Sequence, residues 1–311
     1  MFEFYLHWEH ELAAAQLILA MLGMGMTLRP RDFGEILSSP RNILMIAAGQ
    51  IVLAPLVAIL VARLLRLPDE ILFGMILTTA MPGGALSNIY TYLARGNIPL
   101  SITATTFATA SCVITAPLVL RVFAAVTIPD SFVMPAGLLM FDIGAYLLLP
   151  LGVGMICRRF APERAEGIHQ YFVRGSLLVL GLHVVGALGS GRLDVWSHGW
   201  RTPVGLVLFG VIVMVVMVQG SRLLGHSRKD ASTMGIEVTL RNTFLALLIK
   251  ADLFPASAEA NPMEQAVLYV TLFYGGASLA IGFGPILINR FLTSATSTQA
   301  PSESGESPAN D

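Results

Sequence analysis

Stretches of about 20 mostly apolar residues, the length an α-helix needs to cross a hydrocarbon core of roughly 30 Å, recur along almost the whole of this 311-residue chain. Inside such a core every backbone N–H and C=O must find a partner within the protein, so a chain of this pattern is restricted to helical bundles or closed barrels. The runs are far longer than the alternating segments of about ten residues expected of a barrel. They predict an all-α polytopic membrane protein of about nine transmembrane helices, near residues 11–28, 42–64, 70–94, 98–125, 132–157, 170–190, 203–224, 231–253 and 264–291. Composition agrees: 13% of residues are charged, about half the share of an average soluble domain, and mean hydropathy is +0.71.

The basic residues set an orientation. With the N-terminus outside, 12 of the 19 Lys and Arg residues fall on the cytoplasmic side, among them Arg29, Arg95, Arg158, Arg222 and Arg228. Six fall opposite, and Arg241 stays within a span. The positive-inside rule selects this topology, a multi-pass protein of the cell's inner (plasma) membrane with its C-terminus cytoplasmic. The N-terminal MFEFYLHWEHE has acids and no Lys or Arg, unlike a signal peptide, so the first span is expected to be retained. Trp196 and Trp200 suit the headgroup level. The segment 293–311, rich in Ser, Pro and Glu, is expected to be a disordered cytoplasmic tail. A net charge of −1 provides no basic field for nucleic acid, and Cys112 and Cys157 have neither disulfide-framework nor metal-ligand spacing.

Two spans are expected to be interrupted. In 70–94, Pro82, Gly83 and Gly84 lie at the centre, followed by Ser87 and Asn88; proline removes a donor and clashes with the preceding turn, and two glycines weaken the helix further. The second, 231–253, places Glu237, Arg241 and Asn242 at membrane depth, where charge is expensive and usually functional. Glu237 and Arg241, one turn apart, could simply neutralise one another. Each interrupted span is the second-last helix of its half, the pattern of an inverted-repeat transporter, with residues 1–126 and 132–292 as the repeats.

The motifs GMGMTLRPRDF (23–33), MPGGALSNIYTYLARGN (81–97) and GIEVTLRN (235–242) resemble the bile acid:sodium symporter family, and the likeness runs in order to about residue 290. The resemblance implies a panel of spans 1, 5 and 6 against a core of the other six. Several bacterial members of that family have ten helices, whereas the nine apolar runs here are expected to lack the first, like the nine-helix vertebrate branch. The resemblance assigns a first sodium site to Ser87, Asn88, Ser101, Thr105 and Glu237. Independently, hydroxyl and amide oxygens with one carboxylate are what a hard cation prefers. The resemblance puts a second sodium site at Gln50, Glu237, Val238 and Leu240, but Arg241 stands where the family commonly has Gln. A guanidinium has no acceptor and would repel sodium. Arg241 either replaces the second ion's charge by pairing with Glu237 or reaches a substrate anion, so that coupling involves one sodium or none.

The expectation is a secondary transporter of a small organic anion, sodium-coupled by alternating access, with substrate held by Asn242, Arg241 and amides at Gly84 and Ala85, and with a monomer sufficient. A sodium-independent uniporter or exchanger on the same fold is the alternative. No HExxH or GxGD pattern marks an intramembrane enzyme, and the two broken segments differ in chemistry, unlike a channel's recurring filter. Asp142 is open to partnership with Arg241, a watery cavity or the interface; His183 is read as structural rather than proton-coupling; Met21, Met24 and Met26 as packing; and Gly275 and Gly276 as sites of close helix contact.

Overall fold

A computed structural model describes residues 8–29, 40–127, 135–189, 196–254 and 261–297. Helices account for nearly all of them: α1 Glu9–Gly25, α2 Pro40–Leu65, α3 Asp69–Ala80, α4 Ala85–Leu93, α5 Ile98–Phe123, α6 Ala136–Phe160, α7 Pro162–Gly189, α8 Arg201–Leu223, α9 Arg228–Thr239, α10 Thr243–Leu253 and α11 Pro262–Ser297. Grouping α3 with α4 and α9 with α10 gives nine spans among the described residues. By length and composition, α2, α5, α6, α8 and the stretch Pro262–Asn289 of α11 can each cross a bilayer alone. The remaining spans differ for physical reasons: α1 is a shorter apolar helix, α7 opens with a polar turn around Glu163, Arg164 and Glu166, and the other two are broken. The helix α11 runs to Ser297, past residue 293 where the sequence starts the tail. Residues 298–311, like 1–7 and the motif residues 30–33, lie outside the described residues.

The helices α1, α6 and α7 pack on one another. Their closest approach is made by small residues, as membrane packing favours. A Cβ on Gly25 would stand 2.2 Å from the Leu151 carbonyl oxygen, and one on Gly154 would stand 2.5 Å from that of Leu22, so the backbones of α1 and α6 touch. Arg158 then donates to the Met26 carbonyl at 2.9 Å, holding the end of α6 against that of α1. The other helices form the second group, in which α11 lies along α3 and α8, and α8 along α9. Contact between the groups runs through α5 against α6 and through α1 against α10, where His10 Nε2 lies 3.1 Å from Asp252 Oδ1.

Two spans carry a π-helical turn, Gly49–Leu53 in α2 and Ile143–Leu148 in α6. Each is followed by a proline, Pro55 and Pro150, whose missing N–H and bulky ring disturb the carbonyl four residues earlier, at Ile51 and Tyr146. Widening the turn accommodates that disturbance without ending the helix. Gln50 and Asp142 sit at these turns.

Candidate functional site

Both interruptions form, and they meet. The first leaves residues 81–84 non-helical between α3 and α4; the second leaves 240–242 between α9 and α10. Gly83 and Arg241 pair as a single antiparallel bridge. The Gly84 N–H donates to the Leu240 carbonyl at 3.3 Å, and the Asn242 N–H donates to the Pro82 carbonyl at 2.9 Å. The backbone groups that Pro82 and its glycines release are therefore satisfied by the other broken helix, and the two spans cross at their breaks. Asn242 also caps α10, its Oδ1 accepting the Leu245 N–H at 3.2 Å, which shows why a helix restarts there without proline or glycine.

Beside the crossing, five side chains from α4, α5 and α9 converge. Glu237 is completely buried, with Oε1 2.6 Å from Thr105 Oγ1 and Oε2 3.2 Å from Ser101 Oγ. Ser101 donates to Asn88 Oδ1 at 2.8 Å, and Ser87 Oγ lies 3.3 Å from Thr105 Oγ1. Spacing explains part of this: Ser101 and Thr105 are one turn apart on α5, and Ser87 and Asn88 occupy the first turn of α4. Tertiary contact supplies the rest. Asn97 caps α5 by accepting the Leu100 N–H, donates from Nδ2 to Asp230 Oδ1 at 2.6 Å, and offers its backbone N–H to Thr233 Oγ1 at 2.8 Å. This one residue ties the start of α5 to α9 and sets the Ser101–Thr105 face opposite Glu237.

Gly83 completes the arrangement. A Cβ there would lie 2.3 Å from Glu237 Oε1, so the crossing strand approaches the carboxylate as closely as only glycine permits.

The second group is brought together only in part. Gln50 donates from Nε2 to the Glu237 backbone carbonyl at 3.3 Å. Val238 is buried, and the Leu240 carbonyl is already taken by Gly84. Arg241 does not pair with Glu237. Its Nη1 donates to the Met81 carbonyl at 3.1 Å, while Nη2 is buried with no partner. The internal neutralisation that the spacing left open is thus absent, because Arg241 lies in the bridge and its Nη1 is held by the other broken span rather than turned along α9. Arg241, Asn242 and Gly84 instead line a crevice of about 290 Å³ between the two helix groups, with Ala20 and Met21 of α1 and Leu180 of α7 on the far wall. Of the two amides assigned to the anion, that of Gly84 is used by the crossing. The amides of Ala85 and Leu86, in the first turn of α4, have no helical acceptor.

Sequence reasoning overlooked Thr271, which lines the crevice with an unpartnered hydroxyl, and Tyr274, whose hydroxyl donates to the Thr239 carbonyl at 2.9 Å. The available signal was a seven-residue polar spacing, Thr271 and Ser278, on one face of an apolar helix. Gly275 does allow close contact, since a Cβ would stand 3.0 Å from Thr243 Cγ2, but Gly276 has open space and faces the crevice. Asp142 is buried in α6 with its Oδ2 unpartnered, and forms no ion pair with Arg241. Met21, Met24 and Met26 are packed in the interior. The His183 side chain lies outside the described residues.

The model of the sodium bile acid symporter family matches residues 14–197. An uncharacterized sodium-dependent transporter of Bacillus subtilis, YocS, is 31% identical over 271 residues, covering 84% of this chain and 79% of the relative. This chain belongs to the sodium bile acid symporter family. Plant relatives extend the likeness. The probable sodium/metabolite cotransporter BASS2 of rice chloroplasts is 26% identical over 88% of this chain, and BASS1 of Arabidopsis thaliana is 30% identical over 79%. The chain spans 64% and 60% of those two longer proteins. It is a polytopic membrane transporter of this family.

Proposed function

We propose that the protein is a secondary transporter that couples one sodium ion to the movement of a small organic anion by alternating access. The observation that carries the reading is the cluster of five oxygen-bearing side chains, Ser87, Asn88, Ser101, Thr105 and Glu237, beside the helix crossing. Its donor set is all oxygen, with a single carboxylate, which suits a hard monovalent cation. Sodium would be held by the Ser87, Ser101 and Thr105 hydroxyls, the Asn88 amide oxygen and the Glu237 carboxylate, and would supply the positive charge that a fully buried carboxylate otherwise lacks. Relatives named as sodium-dependent transporters or sodium/metabolite cotransporters support this choice of ion.

Arg241 acts as a built-in cation at the crevice. Its Nη1 is held by Met81, and Nη2 is positioned to donate to the cargo's carboxylate or sulfonate, with Asn242 and the first-turn amides of α4 beside it. The fixed charge does what a second sodium ion would do, so coupling is one sodium per anion. The panel of α1, α6 and α7 moves against the core, in which residues 1–126 and 132–292 contribute the two crossing halves, and sodium favours the orientation that completes its ligand set. A monomer contains every part of this machinery. The protein is oriented in the inner (plasma) membrane with its N-terminus outside.

The test is the thermal stability of purified protein titrated with sodium against a potassium background. Parent protein gains stability with sodium, as a ligand of the native state requires, and Glu237→Gln loses the gain while remaining folded. A well-folded parent with no sodium-specific shift overturns sodium coupling. Counterflow of the anion without sodium then identifies an exchanger.

A further inference from the structure

A second cavity, of about 480 Å³, opens elsewhere on the molecule between α8, α9 and α11, and shares no lining residue with the crevice. Its walls are mainly apolar, with Val211 and Val215 from α8 and Phe283 and Leu287 from α11, and its uncharged polar residues are Gln219, Ser232 and Asn289. Val215, Phe283 and Leu287 are each about half exposed, so the groove opens outward into the bilayer. At one end only, two basic side chains close it, Arg222 in the last turn of α8 and Arg228 at the start of α9. Both are exposed, and neither has a hydrogen bond or ion pair among the described residues. The neighbouring acid does not neutralise them, because Asp230 is engaged by Asn97 and Ser227. Nor is Arg222 needed to satisfy the end of α8, where Arg41 donates to the Leu224 carbonyl.

An apolar groove of acyl-chain character that terminates in two unpaired guanidinium groups has the polarity of one molecule, a phospholipid with an anionic headgroup. We propose that this groove is a binding site for an anionic phospholipid, its acyl chain lying between α8 and α11 and its phosphate held by Arg222 and Arg228. Guanidinium groups bind phosphate through paired N–H donors, and basic pockets between membrane helices are a recognised setting for such headgroups. The volume lies in the range of small-molecule sites, roughly 300–1,000 Å³. The crevice has a different character, since it is closed by panel residues and holds its arginine internally.

The test is native mass spectrometry of the full chain released from detergent after equilibration with phosphatidylglycerol or phosphatidylcholine of identical acyl chains. Three variants accompany the parent: Arg222→Gln with Arg228→Gln, Arg222→Lys with Arg228→Lys, and Val215→Trp. The parent is expected to retain phosphatidylglycerol about tenfold over phosphatidylcholine. The double Gln variant brings the ratio near one, the double Lys variant keeps most of it, and Val215→Trp lowers retention with both arginines in place. Equal retention of the two lipids by the parent overturns the proposal, as does a preference that survives the double Gln variant. Unchanged retention in Val215→Trp overturns the groove as the acyl-chain site. A matching arm with inorganic phosphate alone distinguishes a free anion: thermal protection by phosphate equal to that by phosphatidylglycerol also overturns it.

Discussion

The two glycines of the Pro82-Gly83-Gly84 break are predicted to differ sharply when each is replaced by alanine. At Gly83 the new methyl would stand 2.3 Å from Glu237 Oε1 and 3.0 Å from Cδ, about 1 Å inside ordinary van der Waals contact. The strand cannot retreat cheaply, because Gly84 and Asn242 fix it to the opposite break. The carboxylate must therefore move, and it cannot do so without losing the 2.6 Å contact with Thr105. A hydrogen bond to a charged group is worth about 1.5–3 kcal/mol, and overpacking adds about 1–3 kcal/mol. If only the first of these is lost from the bound state, sodium affinity falls by about ten- to a hundredfold. At Gly84 the nearest atom to a new Cβ is the Arg241 carbonyl oxygen at 3.4 Å, an ordinary contact, and its φ of −96° and ψ of 160° suit any residue. Sodium titration of thermal unfolding measures both variants against the parent. Gly83→Ala shifts the sodium midpoint upward by at least tenfold and Gly84→Ala by less than threefold, in line with the contact distances. A Gly83→Ala protein with the parent's midpoint and stability would refute the placement of Glu237 as the ion's carboxylate.

Arg241→Gln should steepen the sodium dependence of transport, with a Hill coefficient rising above one, and should weaken anion affinity; an unchanged slope and affinity contradicts the built-in cation. Lys250 and Glu264 form a buried pair at 2.8 Å, exposed by only 1% and 2%, so Lys250→Met alone should destabilise the protein by about 3–5 kcal/mol, while Lys250→Met with Glu264→Leu recovers most of that in chemical denaturation. Asn97→Ala removes the cap of α5 and the tie to Asp230, and should lower stability by about 1–2 kcal/mol together with sodium affinity; Asp230→Asn, which leaves the cap, should cost less.

The bundle was legible because membrane-length apolar runs leave few alternatives, and the first break because Pro82 and two glycines cannot continue a helix in lipid. The second break was legible only through its charges. Residues 240–242 contain no helix breaker, and the chain leaves the helix there because Pro82 and Gly84, far away in the sequence, offer backbone partners. The same long-range pairing decides between the alternatives left open for Arg241: helical spacing places it beside Glu237, but Arg241 lies in the bridge, where the helix no longer holds. The five side chains were found by resemblance and their residue chemistry, whereas Thr271 and Tyr274 stayed hidden because the spacing of Thr271 and Ser278 in an apolar helix is a faint signal and a single tyrosine there carries none. The π-turns could have been anticipated from Pro55 and Pro150, which sit inside runs too long and apolar to end there.

The crossing also constrains how such a chain is made. When α3 and α4 emerge from the ribosome, the residues that accept from Gly84 and donate to Pro82 have yet to be synthesised. Until then one N–H and one carbonyl lack partners at a depth where each unsatisfied group costs several kcal/mol. The first half is thus a poor resident of lipid on its own and must stay beside the insertion machinery, or beside water, until the second half arrives. Truncation between α5 and α6 should leave a fragment that insertion machinery retains and quality-control proteases remove, although each of its long spans is apolar enough to enter the bilayer.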